Sequence, residues 1–288
     1  MRRPAPLLCL TILLSLAANR ISAAEAEIET KTDVVYGEAD GVKLLLDLHQ
    51  PKGLDRDVPA IVFIHGGGWA AGDKRDFADG ARQIAKAGYV TISINYRHAP
   101  KFLFPAQVED SKCAVRWLRA HAKDMHVDPQ RIGAIGGSAG GHLVMMLGTM
   151  DKFDGLEGQG GWPDQSSKVQ AVVSLFGPTN LVGDWPPTTQ GILTNFLGGD
   201  QKEKKDAYVQ ASPIKYVNTG DAPMLLFQGT KDVLVPYDQA FQMATALTNA
   251  NVPGRVEILL GAGHGWGGKQ LEETVRQTVD FFNTYLKP

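Results

Sequence analysis

Short apolar runs that end at or near glycine alternate along the chain with longer segments of helical periodicity. Such runs are typical of strands buried on both faces of a sheet. An earlier run, residues 43–51 (KLLLDLHQP), alternates imperfectly and ends at a proline, which predicts a partly exposed strand. The sequence predicts six buried strands, within residues 59–68, 89–96, 131–136, 168–177, 222–230 and 254–263.

Amphipathic segments lie between these strands. Residues 105–125 begin with Pro105 in the first turn and then repeat apolar side chains at helical spacing. Strands that alternate with helices pair in parallel, so the sequence predicts an α/β fold with a doubly wound, mostly parallel sheet. The other predicted helices lie within residues 76–88, 139–150, 238–251 and 271–286.

Residues 177–212 depart from this alternation. They are rich in turn formers, contain Trp-Pro-Pro at 185–187 and show weak periodicity. A long insertion of this kind is commonly a lid or a binding loop. Because no repeat or linker divides the rest, we predict one domain over residues 25–288 with a lid-like insertion at about 177–212.

The first 24 residues have the layout of a secretory signal peptide. Two arginines precede an apolar stretch of about twelve residues, and small side chains follow at 23 and 24. That stretch is shorter than the ~20 residues needed to span a bilayer, although an uncleaved anchor is the alternative. We expect cleavage near Ala24, a secreted or periplasmic protein, and no stable membrane association afterwards.

Cleavage changes the charge and the cysteine count. It removes three arginines and no acidic residue, which shifts the formal net charge from −2 to −5. A mildly acidic chain lacks the basic surface of a nucleic-acid-binding protein, so no nucleic-acid partner is expected. Only Cys113 remains, which excludes an intrachain disulfide. No cluster has metal-ligand spacing and no cofactor motif is present, so neither a metal nor a cofactor is expected.

A G-x-S-x-G pattern lies between a predicted strand and a predicted helix. Residues 136–140 read GGSAG, with Ser138 at the centre. Alone, this pattern also fits a plain glycine-rich turn. In a strand–turn–helix context, however, it is typical of an exposed serine nucleophile on a sharp turn.

The segment HGGGW at 65–69 directly follows another buried strand. Backbone N–H groups of a glycine run converge readily on an oxyanion, and the segment lacks the Gly-Lys-Ser/Thr of a phosphate-binding loop. We predict that the amides of Gly67, Gly68 and Ala139 form an oxyanion hole. His65 is interpreted as a residue that shapes this loop by hydrogen bonding.

A serine nucleophile needs a base and an orienting carboxylate. Among seven histidines, His264 alone follows the last predicted strand, on a glycine-rich loop. Asp232 lies just beyond the preceding strand, whereas Asp238 opens a helix. The order Ser138, Asp232, His264 is that of the α/β-hydrolase triad. Trp69 and Trp266 follow the oxyanion loop and the base, and either lines the substrate pocket or packs in the core.

Together the segments HGGGW, FPAQVEDSKCAVRWLR, GGSAGGHL, GTKDVLVP and GHGW resemble the α/β-hydrolase esterases, from about residue 40 to the C-terminus. The similarity is greatest to the secreted bacterial esterases that include acetylxylan and feruloyl esterases. The hormone-sensitive-lipase-like branch differs, because it has aspartate where this chain has Gly137 and a longer N-terminal cap. The resemblance implies an α/β-hydrolase fold with a mostly parallel eight-stranded sheet.

The sequence therefore predicts an exported serine carboxylesterase with Ser138, His264 and Asp232 as its triad. Its expected substrate is a small-molecule or polysaccharide ester, with acetyl and feruloyl esters of plant polysaccharides favoured. A serine peptidase or an arylformamidase uses the same chemistry. A non-catalytic binding protein on the same fold is the alternative from a different class.

Overall fold

Eight strands form a single twisted sheet in the computed structural model, which describes residues 27–287. The strands are β1 (Ile28–Ala39), β2 (Val42–Pro51), β3 (Val58–Ile64), β4 (Val90–Ile94), β5 (Val127–Gly137), β6 (Ala171–Leu175), β7 (Met224–Gly229) and β8 (Gly254–Leu259). Their order across the sheet is β1-β2-β4-β3-β5-β6-β7-β8. β1 and β2, and β2 and β4, pair antiparallel, and all pairs from β4 to β8 are parallel.

Helices cover both faces of the sheet, and the predicted fold class is confirmed. The helices are α1 (Ala78–Lys86), α2 (Ala106–Ala120), α3 (Ala139–Thr149), α4 (Pro187–Leu197), α5 (Lys205–Gln210), α6 (Asp238–Asn249) and α7 (Gly268–Leu286). One apolar cluster packs under α2, α3 and α6, and a second packs under α1 and α7. The central strands β3, β4 and β7 are buried along their whole length, which explains their largely apolar sequences.

Two parts of the fold were not predicted from the hydrophobic pattern. β1 is an edge strand with mostly exposed side chains, so it carries little apolar signal. The segment 177–212 contains α4 and α5, whose glycine, proline and threonine content hides their periodicity. The predicted helix at 105–125 ends at Ala120, and a short 3-10 turn follows at Lys123–Met125.

The predicted signal peptide at residues 1–24 lies outside the described residues. Within residues 27–287, the helices are too short or too polar to cross a bilayer.

The parallel strands place the predicted functional residues at one edge of the sheet. In an open α/β sheet, ligands bind beyond the carboxyl ends of the strands. Gly67 follows β3, Ser138 follows β5, Asp232 follows β7 and His264 follows β8. All four loops therefore leave the sheet on the same side.

Candidate active site

Ser138 occupies a strained turn between β5 and α3. Its backbone has φ 56° and ψ −120°, a conformation that a residue with a Cβ rarely adopts. The N–H of Ser138 donates to the carbonyl oxygen of Leu175 at 2.8 Å, which holds the turn against β6. Strain of this kind persists only where the surrounding structure enforces it.

Glycines beside Ser138 allow the turn to pack closely. A Cβ at Gly140 would lie 2.0 Å from the carbonyl oxygen of Ile64. A Cβ at Gly136 would lie 2.4 Å from the carbonyl oxygen of Gly140. No side chain fits at either position without moving the backbone. The glycines of the G-x-S-x-G pattern are therefore required by the packing of α3 on β3 and β5.

The structure brings Ser138, His264 and Asp232 into one line of hydrogen bonds. The Oγ of Ser138 lies 2.8 Å from the Nε2 of His264. The Nδ1 of His264 lies 2.8 Å from the Oδ2 of Asp232. These distances match the contact that nucleophile, base and orienting acid require.

Asp232 is enclosed and fully hydrogen-bonded. Its Oδ1 accepts the N–H groups of Leu234 and Val235, both at 2.9 Å, and its Oδ2 also accepts Nε2–H of Gln228 at 3.1 Å. Burial alone raises its pKa, but the hydrogen bonds from His264 and from the backbone outweigh that effect, and the pKa is lowered. An ionised carboxylate only accepts, so Nδ1 of His264 carries the hydrogen and Nε2 faces Ser138 as an acceptor.

The HGGGW loop lies directly beside Ser138. A Cβ at Gly66 would lie 3.3 Å from the Cβ of Ser138. Gly67 and Gly68 have φ of 105° and 58°, and within the described residues their N–H groups have no hydrogen-bond acceptor. Ala139 is the first residue of α3, so its N–H has no acceptor within the helix.

A cavity of about 770 Å³ opens above Ser138 and His264. Gly67, Gly68 and Trp69 contribute to its wall. The remaining lining is mostly apolar and contains residues that the sequence interpretation did not assign. These are Gly66, Ala70, Asp76, Phe77, Gly137, Phe176, Pro178, Thr188, Thr189, Gly191, Ile192, Asn195, Leu234 and Val235.

The two predicted pocket tryptophans have different positions. Trp69 borders the cavity, but its indole is buried and stacks on Phe196, with the ring centroids 4.2 Å apart. Trp266 is not part of the cavity wall and, of the two alternatives for this residue, takes the one in which it packs against the core. Its Nε1–H donates to Oγ1 of Thr274 on α7, and its ring packs edge-on against Phe176.

Several residues around the site had a weak or absent signal in the sequence. Thr188, Ile192 and Asn195 recur at helical spacing along α4 and face the cavity. The sequence alone does not reveal this shared helical face, because no helix is predicted in the segment. Phe176 is a bulky residue with φ 44°, and its ring lies 4.7 Å from that of His264, a contact with no local sequence pattern.

α4 contacts the loops on both sides of the site. The hydroxyl of Thr189 donates to the carbonyl oxygen of Leu234, beside Asp232, at 2.7 Å. At the other end, Phe196 stacks on Trp69 of the HGGGW loop. The predicted lid-like insertion therefore supplies a helix that bridges the loops after β3 and β7.

Of the other histidines, His142 lies one helical turn after Ser138, and its N–H donates to the carbonyl oxygen of Ser138. It is fully buried on α3, its Nδ1 accepts Nε1–H of Trp69 at 3.2 Å, and its Nε2–H donates to the carbonyl oxygen of Ala211 at 2.6 Å. His65 is also buried, and its Nδ1 bonds the carbonyl oxygen of Gly66 at 2.8 Å, a contact within the loop. Among the described residues there is no group of three or more histidine, cysteine or acidic side chains placed to bind a metal.

His142 makes folding stability sensitive to acid. Burial lowers its pKa to about 4, although its bond to Ala211 acts in the opposite direction. The unfolded chain takes up this proton near pH 6.5, so stability is full above that pH and falls as the pH drops toward 4. The loss reaches about 2 kcal/mol at pH 5.

We therefore expect the free energy of unfolding in urea to fall more steeply between pH 7.5 and 5 in the wild type than in His142→Gln. The difference between the two slopes isolates His142 from the other buried histidines. Equal slopes would show that His142 does not titrate differently in the folded and unfolded states.

Comparison with known proteins assigns the chain to a family. The BD-FAE family model matches residues 46–247. The probable carboxylic ester hydrolase LipM of Mycobacterium tuberculosis is 31% identical over 72% of this chain and 49% of its own length. Esterase LipQ of the same organism is 29% identical over 76% of this chain and 53% of its own. The chain thus spans about half the length of these curated relatives.

Solved structures match over a larger share of their length. A truncated form of a carbohydrate esterase from gut microbiota has a TM-score of 0.82 at 28% identity, covering 92% of this chain and 99% of that one. Esterase 2 of Thermogutta terrifontis with propionate bound has a TM-score of 0.75 at 28% identity, covering 92% and 97%. The chain therefore belongs to the BD-FAE family, within the esterases of the α/β-hydrolase fold.

Proposed function

We propose that the protein is a carboxylic-ester hydrolase in which Ser138 is the nucleophile. The observation that carries the proposal is the line of 2.8 Å contacts from Ser138 through His264 to Asp232, built on a strained turn. Family membership supports the same reaction class.

In the first step, the Oγ of Ser138 attacks the ester carbonyl carbon while Nε2 of His264 takes the hydroxyl proton. The imidazolium that forms keeps its Nδ1–H on the ionised carboxylate of Asp232. Because that carboxylate is already hydrogen-bonded by two backbone amides, it needs no rearrangement to stabilise the new charge.

The carbonyl oxygen becomes negatively charged in the tetrahedral intermediate. We assign the oxyanion hole to the N–H groups of Gly67, Gly68 and Ala139. The N–H of Ser138 is already engaged with Leu175, so the next amide along α3 is the nearest free donor on that side. The positive end of the α3 dipole adds to the stabilisation.

His264 then returns its proton to the leaving alkoxide, and the alcohol departs to leave an ester of Ser138. Water, deprotonated by the same imidazole, attacks this acyl-enzyme and releases the carboxylic acid. Ser138, His264 and Asp232 end the cycle in their starting protonation states.

Replacing Ser138 by alanine tests the chemical assignment. Purified protein should hydrolyse p-nitrophenyl acetate, and Ser138→Ala should lower kcat by about 10⁴-fold or more, since the triad acts as a unit. Asp232→Asn should cause a loss of about 10⁴-fold with little change in folding, because the wrong imidazole tautomer then faces Ser138. Wild-type turnover in Ser138→Ala would refute the assignment.

We further propose that the acyl group is neutral and small or aromatic, as in acetyl and feruloyl esters of polysaccharides. Within the described lining of the cavity, Asp76 and the triad base are the only titratable groups, and no lysine or arginine is present to pair with a substrate carboxylate. Phe77 and Phe176 offer apolar contact to an aromatic ring. The carbohydrate esterase and the propionate-bound esterase that resemble this chain support the same substrate range.

A series of acetyl, butyryl, octanoyl and feruloyl esters, with acetylated xylan beside them, tests the acyl preference. We expect kcat/KM for acetyl and feruloyl esters to exceed that for octanoyl. Ile192→Ala should raise kcat/KM for octanoyl relative to acetyl about tenfold. The Ile192 side chain lies in the cavity wall against Gly68, and its removal makes room for a longer acyl chain. The control is Leu260→Ala, because the side chain of Leu260 is exposed and lies outside the cavity. Turnover of amides or formamides alone would contradict the esterase proposal.

We also propose export, with cleavage near Ala24, on the pattern of residues 2–24. The protein recovered from the periplasm or the medium should then begin at about residue 25. Intact Met1 on protein recovered from the cytosol would contradict export. We propose that the cleaved chain, whose formal charge is −5, neither associates stably with a membrane nor binds nucleic acid.

A further inference from the structure

His142 is the fully buried titratable group next to the site that the proposed mechanism does not use. We propose that His142 is a positioning residue for the oxyanion hole. By accepting the indole N–H of Trp69, it holds the loop of Gly67 and Gly68 in place relative to Ala139. The inference rests on the proposed function, since it concerns the donors that stabilise the ester-derived oxyanion.

The oxyanion hole is built from two separate segments of chain. Ala139 belongs to α3, whereas Gly67 and Gly68 belong to the loop after β3. The backbone N–H of His142 donates to the carbonyl oxygen of Ser138 at 2.9 Å, so its ring is carried by the same helical turn as Ala139. The contact from that ring to Trp69 therefore spans the two segments.

The glycine loop depends on such a contact because its backbone is unusual. Gly67, Gly68 and Trp69 are three consecutive residues with positive φ, at 105°, 58° and 58°. Positive φ is unfavourable for a tryptophan, so surrounding contacts hold it in place, and its carbonyl oxygen accepts the N–H of Ala99 at 2.9 Å. The indole of Trp69 has two such contacts, its stack on Phe196 and its hydrogen bond to His142.

The hydrogen-bond partners of His142 fix its tautomer. The carbonyl oxygen of Ala211 accepts a hydrogen from Nε2 at 2.6 Å, so in the neutral ring Nδ1 is an acceptor. That acceptor meets Nε1–H of Trp69, which is a donor only. The ring thus tethers the oxyanion loop on one side and the end of the insertion on the other.

Two amide substitutions separate these bonds. Asparagine places its amide oxygen near the position of Nδ1 and keeps an acceptor for Trp69. Glutamine places its amide nitrogen near the position of Nε2 and keeps the donor to Ala211. Trp69→Phe removes only the indole N–H side of the contact while retaining an aromatic ring against Phe196.

The experiment measures kcat and KM for p-nitrophenyl acetate, together with Tm, in the full chain. We expect His142→Gln and Trp69→Phe each to lower kcat by about 10–100-fold with KM within about twofold, because displaced donors weaken only the transition state. The double variant should lose no more than about twofold beyond either single one, since both remove the same contact. His142→Asn should recover kcat to within about threefold of wild type.

His121→Gln is a matched control. His121 follows α2 and also packs on a tryptophan, Trp117, but neither residue lines the cavity. Its replacement should leave kcat unchanged, whatever its effect on Tm.

Three outcomes would overturn the inference. If His142→Gln and Trp69→Phe lower Tm but keep the kcat of wild type, the contact is structural only. If His142→Asn loses as much as His142→Gln, the bond to Trp69 is not the determinant. If wild type hydrolyses no ester, the proposed function fails and this inference fails with it, whereas an active wild type with unchanged variants refutes the inference alone.

Discussion

The close approach of α3 to β3 is the constraint on which the rest of the site depends. Gly140 lies so near the carbonyl oxygen of Ile64 that a Cβ there would be 2.0 Å away. Because Ile64 pairs with Gly136 in the parallel register of β3 and β5, this approach places the turn at Ser138 beside the glycine loop that follows β3. The strained conformation of Ser138 and the position of the loop are thus two results of one packing arrangement.

The opposite side of the site depends on electrostatics more than on packing. Asp232 is enclosed, yet two backbone amides, Gln228 and His264 all donate to it, and its pKa is lowered. An acid that stays ionised when buried fixes which nitrogen of His264 faces Ser138. α4 connects this side to the HGGGW loop, through Thr189 at one end and Phe196 at the other.

The sequence was most informative where the structural requirement is local. Gly136 and Gly140 have to be glycine in any chain that makes this turn, so their spacing between a predicted strand and a predicted helix indicated the nucleophile turn. Contacts between distant segments leave no such pattern. Trp266 follows His264 and was therefore a candidate for the pocket as well as for the core, but it is not part of the cavity wall, and its Nε1–H donates to Thr274 on α7. The ring of Phe176, which does reach the site, comes from a strand end with no distinguishing motif.

The central claim is that the fold makes Ser138 the reactive nucleophile. Paraoxon phosphorylates activated serines without needing a matching acyl pocket, so peptide mass spectrometry after brief treatment tests the claim directly. We expect one diethylphosphoryl group per chain, on the peptide that contains Ser138, and much slower labelling in His264→Ala. Labelling at another residue, or equal labelling of Ser138 without the His264 imidazole, would contradict it.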